Sequence, residues 1–196
     1  MVAFKSLLSL TALAISAFSS VIPRNNSTST PLWSELAISA PPNGRYLYRT
    51  HSKEPFLWVG DTKWELFHRL NKTDIDLYFA DRAAKGFNVI QAVVLSKYNV
   101  TTLPNFYGDL AIDNEDVTQP NEGYFQFVDW VVNRAVEYGI LIVFHPVWGR
   151  YVNNGWYGTL AGPRLFDEAN AYTFGKFLGN RYPGIPKIMG GDTNGF

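Results

Sequence analysis

The 196-residue chain contains no cysteine, which excludes disulfides and thiolate metal sites. Its three histidines stand at 51, 68 and 145, in no ligand-like spacing, so no bound metal is expected. A charge excess is missing as well: Lys+Arg and Asp+Glu each number 17. Nucleic acid and anionic membrane surfaces are therefore poor partners. No glycine-rich phosphate loop opens the first helix, so nothing in the chain calls for a nucleotide or another cofactor. What the sequence does hold is apolar and aromatic. With 46% hydrophobic and 16% aromatic residues it can build one core, but not two large domains.

The N-terminus reads as a secretory signal over residues 1–20: Lys5, an apolar run over 7–18, then small residues up to Ser20. The run is short and rich in Ser and Thr, so an uncleaved membrane anchor is the lesser reading and an extracellular location is expected. Four Asn-x-Ser/Thr triplets, at Asn25, Asn26, Asn71 and Asn99, are candidate glycosylation sites in a secreted chain. Residues 21–35 read as a disordered linker, and residues 36–196 as one domain.

Two alternating stretches, Arg45-Tyr46-Leu47-Tyr48 and Phe56-Leu57-Trp58-Val59, flank a turn-like segment. They predict a short β-hairpin whose second arm becomes the first core strand, ending in Gly60-Asp61-Thr62. Thr73 and Asp76 form a capping pair for a helix that Gly86 ends. The apolar run over 87–94 is then a strand covered on both faces. A second cycle begins at Asn121 as N-cap, stops at Gly139 and feeds a strand over 140–144. A third helix over 170–181 leads past Pro183 to Lys187-Ile188-Met189. Strand and helix alternate, which predicts an α/β fold with parallel strands and right-handed crossovers.

The loops after the second and third strands are long and the helix-to-strand links short, as at the functional face of a (β/α)8 barrel. A doubly wound sheet is the competing architecture. At the carboxyl ends of the strands stand Asp61, Trp64, Glu65, His68, Gln91, His145, Trp148, Trp156, Asp192 and Asn194. Acids, amides, imidazoles and aromatic faces without a metal set suit a carbohydrate, whose C–H face stacks on rings and whose hydroxyls meet polar groups. Each residue also has a plainer reading. Trp64 can simply pack, His68 can be a satisfied structural histidine, Asp61 can hold its own loop, and Asp192 can cap a helix.

Several segments in order resemble the apiosidase-like glycoside hydrolases. They are Asn43-Gly44-Arg45-Tyr46-Leu47, the run from Gly60-Asp61-Thr62-Lys63-Trp64 to Leu70, Arg82-Ala83-Ala84-Lys85-Gly86-Phe87, Pro104-Asn105-Phe106-Tyr107-Gly108, and Gly190-Gly191-Asp192-Thr193-Asn194. The resemblance implies a (β/α)8 TIM-barrel retaining glycosidase acting on pectic glycans of the plant cell wall, the family's activity being release of apiose. It also implies that Asp192 is the catalytic acid/base and that the second carboxylate is a Glu on a later strand. Nothing in this chain corresponds to that Glu. The expectation is therefore a barrel truncated after strand four, with self-association through its open sheet edges as one consequence. A non-catalytic carbohydrate-binding half-barrel, or an inactive remnant, is the alternative. An Asp61/Asp192 pair ranks last, because retaining carboxylates stand about 5–5.5 Å apart. A smaller departure from the family pattern is His145-Pro146-Val147-Trp148.

Overall fold

The structure, a computed structural model, describes residues 31–97, 99–152 and 164–190. The predicted signal and most of the predicted linker lie outside these residues. The linker's last stretch does not: Leu32–Leu36 forms a 3-10 turn. Trp33 anchors it, with its indole N–H donating to the Pro183 carbonyl at 3.0 Å and its ring 5.9 Å from that of Tyr182. Burying a tryptophan whose N–H finds a partner stabilises a segment that composition alone marks as loose.

Two sheets follow. β1 (Ile38–Ser39), β2 (Leu47–Arg49) and β3 (Pro55–Phe56) form an antiparallel sheet in that order, so the predicted hairpin gains a third strand. β4 (Gly60–Thr62), β5 (Val89–Leu95) and β6 (Leu141–Val147) form a parallel sheet, also in chain order. The first parallel strand begins later than the sequence suggests. Asn88 is the reason: its Oδ1 accepts from Val59 N–H at 3.0 Å and its Nδ2 donates to the Leu57 carbonyl at 2.8 Å, taking up backbone groups that a strand over 56–59 would pair. A Cβ at Gly60 would lie 2.6 Å from the Trp58 indole nitrogen, so any other residue there has to displace that ring.

Between the strands run α1 (Leu66–Arg69), α2 (Lys72–Ala84), α3 (Glu122–Glu137) and α4 (Glu168–Arg181). The cap of α2 is Asn71, whose side chain accepts from Asp74 N–H, and not the predicted Thr73. A cap of this kind contributes about 1 kcal/mol. Asn121 caps α3 as expected. α4 starts slightly earlier than predicted, because Asp167 and Asn170 form a reciprocal capping box. The predicted fourth strand is a single parallel bridge, Phe144 to Lys187, framed by Phe144 N–H to Pro186 O at 3.0 Å and Ile188 N–H to Phe144 O at 2.8 Å.

The pleat sorts side chains with period two. Ile90, Ala92, Val94, Ile142 and Phe144 enter the main core with Phe67, Phe79, Tyr124, Val128 and Tyr182 from the helical layer. On the opposite face, near the amino ends of the strands, Val89, Leu141 and Val143 meet Leu36, Ile38, Phe56 and Trp58. The N-terminal sheet thus covers the foot of that face and leaves its carboxyl end to other residues. Among the described residues no helix is long and apolar enough to cross a membrane.

Candidate active site

Gln91 and His145 share the face that carries Val89 and Val143. Register pairs Gln91 with Val143 and Val93 with His145, so the two polar side chains sit one pleat apart on neighbouring strands. Gln91 Oε1 lies 3.0 Å from His145 Nε2, and His145 Nδ1 lies 3.4 Å from the Gly190 carbonyl. That carbonyl can only accept. Gln91 Oε1 likewise accepts, so the imidazole is the donor of this group, through whichever ring nitrogen carries the proton. Gly190 has φ +135°, a conformation that favours glycine.

Trp64 closes one side. Its ring meets His145 edge-on at 5.2 Å and Trp148 edge-on at 5.5 Å. It is held there because the chain after β4 keeps pairing with β5, through Lys63 N–H to Gln91 O at 2.8 Å and Val93 N–H to Trp64 O at 3.4 Å. Trp148 is fixed in the same way by its N–H to Leu95 O at 2.9 Å, and the Lys97 ammonium stands 5.2 Å from its ring centroid. An amide, an imidazole and two indoles, none of them a strong acid or nucleophile, thus cluster here, His145 and Trp148 buried and Gln91 and Trp64 half-buried, residue types that can meet hydroxyls and C–H faces.

Two predicted pocket residues belong elsewhere. Asp61 is level with Ile90 and Ile142, on the helix-facing side, and its carboxylate accepts from Arg82 Nε, from Tyr78 O–H at 2.9 Å and from Thr62 N–H at 2.7 Å. Burial pushes this carboxyl up, but the Arg82 guanidinium, the Thr62 N–H and the Tyr78 hydroxyl outweigh that and hold it below the usual range. It ties β4 to α2. A folded-state value below the unfolded one of about 3.9 gives stability that is present above about pH 4 and lost as pH falls through the folded value. Asp61→Asn should therefore flatten the acid limb of a melting-temperature profile; an unchanged limb would show that the tie contributes nothing.

His68 is the second, and takes the structural one of its two readings. It is buried, with Nε2 donating to the Leu103 carbonyl at 3.0 Å and Nδ1 3.1 Å from Glu65 Oε2. Glu65 Oε2 also accepts from the Ser96 hydroxyl at 2.7 Å, and its Oε1 is buried without a hydrogen-bond partner among the described residues. This knot ties the loops after β4 and β5 together beneath the Trp64 wall. Its only signal in the sequence is Glu65 and His68 three residues apart, on one face of a helical turn. Ser96 and Leu103 give no signal at all.

Asp192, Asn194 and Trp156 lie outside the described residues, as do Asn25 and Asn26. Asn71 and Asn99 are described, Asn71 as the α2 cap and Asn99 accepting from Arg150 Nη2 at 3.0 Å. A separate cleft of about 470 Å³ runs beside α4, lined by Val147, Phe166, Phe174, Leu178 and Met189 among others. None of the described candidate side chains lines it. Among the described residues no group of three or more His, Asp or Glu is placed to hold a metal ion.

A family model described as "Apiosidase-like, catalytic domain" matches residues 41–196. The chain is similar to a crystal structure of a glycoside hydrolase family 5 protein from Bacteroides vulgatus ATCC 8482, at 28% identity and a TM-score of 0.64, over 83% of this chain and 35% of that one. It is similar at 30% identity and the same TM-score to a second structure described as "Glycoside hydrolase", over 84% of this chain and 36% of that one. The chain thus spans about a third of the length of these two structures. No curated protein matches it.

Proposed function

We propose that this chain, which belongs to the apiosidase-like glycoside hydrolases, is part of a secreted retaining glycosidase acting on pectic glycans of the plant cell wall. The observation that carries the reading is the Gln91–His145 pair enclosed by Trp64 and Trp148 at the carboxyl ends of parallel strands. There a sugar can be oriented by its hydroxyls and stacked by its C–H face. In this reading β4, β5, β6 and the segment bridged at Lys187 are the first four strands of a (β/α)8 barrel. Asp192, two residues beyond the Gly190 carbonyl that faces His145, supplies the acid/base carboxyl. It protonates the glycosidic oxygen as a carboxylate on a later strand attacks the anomeric carbon, then takes a proton from the water that releases the sugar. His145 and Gln91 orient the sugar and exchange no proton in either step.

The test is sugar release from pectic oligosaccharides by the protein from its native host, beside cellulose and mannan controls. Trp148→Leu keeps apolar bulk without a flat face, and should weaken oligosaccharide binding about 3–10-fold. No release from any pectic substrate, with binding unchanged in Trp148→Leu, would reject the proposal. One observation favours a second reading, a carbohydrate-binding module without turnover: Asp61 and Glu65, the carboxylates of the first strand's rim, are both engaged in structural ties. Tight binding without release, unaffected by Asp192→Ala, would support it.

A further inference from the structure

We infer that Asn71 carries an N-linked glycan whose first N-acetylglucosamine packs on the exposed ring pair of Phe106 and Tyr107. This inference rests on the secreted location in that reading and not on its glycosidase activity. Phe106 is 61% exposed and Tyr107 46%, their centroids 5.4 Å apart. Tyr107 continues inward to Phe127 at 5.0 Å, and Phe127 lies parallel to Trp130 at 6.2 Å. An aromatic strip thus rises from the core between α2 and α3 and ends uncovered at the surface, where large apolar groups commonly mark a contact.

The strip ends at a sequon. Tyr107 O–H accepts from the backbone N–H of Lys72 at 2.9 Å, the residue after Asn71, so the phenol tip is fixed at the first turn of α2. Lys72 extends over the same strip, with its ammonium 4.9 Å from the Trp130 ring centroid. Asn71 caps this helix through Oδ1, which accepts from Asp74 N–H at 2.9 Å. Capping uses only the oxygen. Nδ2, the atom that a glycan replaces a proton on, makes no hydrogen bond among the described residues, and Thr73, the third residue of the triplet, is exposed. Cap and glycan are therefore compatible at one residue. Asn99 differs: it has φ +57°, its Oδ1 is held by Arg150, and its triplet threonine, Thr101, is buried.

The sugar suits the patch. N-acetylglucosamine is neutral, with an axial C–H face that can cover a ring and hydroxyls that stay in water. In the attachment step the anomeric carbon of a lipid-linked oligosaccharide diphosphate bonds to Asn71 Nδ2. The carbon–oxygen bond to the diphosphate breaks, the diphosphate leaves with its electron pair, and the amide loses one proton to base.

The test secretes the full chain from a eukaryotic host behind a host leader. Amidase release of glycans in heavy-oxygen water should leave a labelled aspartate at 71; an unmodified Asn71 overturns the inference. Thr73→Ala removes the sequon and keeps the cap. It should lower the melting temperature of secreted protein by about 2–4 °C, and leave unglycosylated bacterial protein unchanged. In a Phe106→Leu/Tyr107→Leu background the Thr73→Ala shift should vanish; a full shift there overturns the packing. A second measurement uses no variant. In glycosylated wild type, magnetisation transfer should connect sugar protons to the Phe106 and Tyr107 rings, and its absence also overturns the inference.

Discussion

Asp192→Asn, expressed in the native host, is expected to lower kcat on pectic oligosaccharides about a hundred- to ten-thousand-fold, the usual contribution of a positioned general acid or base. The two half-reactions should respond differently. An aryl glycoside with an activated leaving group needs no proton on departure, so the first step should survive, and the second should stall because water has lost its base. Azide, which needs no base, should then restore turnover and give a glycosyl azide of retained configuration. The substitution preserves the shape of the side chain, so a change in fold is not expected. Undiminished turnover of natural oligosaccharides by the Asn variant would remove Asp192 from the mechanism altogether.

Phe144→Ala should produce the largest loss of stability. The ring is fully buried, edge-on to Phe67 at 5.7 Å and to Tyr182 at 4.9 Å. Truncating such a residue costs about 3–5 kcal/mol in transfer and cavity terms, a large part of the roughly 5–15 kcal/mol that holds a domain together. A fall in melting temperature on the order of 10 °C follows for a chain of this size. The site should feel it too. Phe144 exchanges backbone hydrogen bonds with Pro186 and Ile188, and this segment runs on to Gly190, whose carbonyl faces His145. A loosened Phe144 therefore loosens the backbone that leads to Asp192. Phe106→Ala, at the surface, should stay within about 0.5 kcal/mol of wild type when unglycosylated. Equal melting temperatures for the two variants would mean that the core is not organised around β6.

The alternation of strands and helices was legible because its signals are local. Asn121 as a cap, Gly86 and Gly139 with positive φ, and the apolar runs of β5 and β6 each act within a few residues of themselves, so periodicity and capping chemistry suffice to place them. The positions of His145 and Trp148 near the end of β6 were legible for a related reason, since the apolar run before them had already placed that strand. The sequence alone also carried the family resemblance, through long motifs in order.

What only the tertiary structure decided is which way side chains face and what they meet. A strand shifted by one residue turns every side chain to the other face, and β4 is three residues long, too short for a pattern to show its phase. Asp61 therefore stayed open between a pocket role and a structural one until pairing with β5 set it toward Arg82 and Tyr78, 21 and 17 residues away. His68 likewise gained its role from Ser96 and Leu103, through Glu65, and Trp33 gained its order from Pro183, 150 residues on. Partners so far apart in the chain leave no mark on local composition, and their contact energies exist only once the sheet has brought them together.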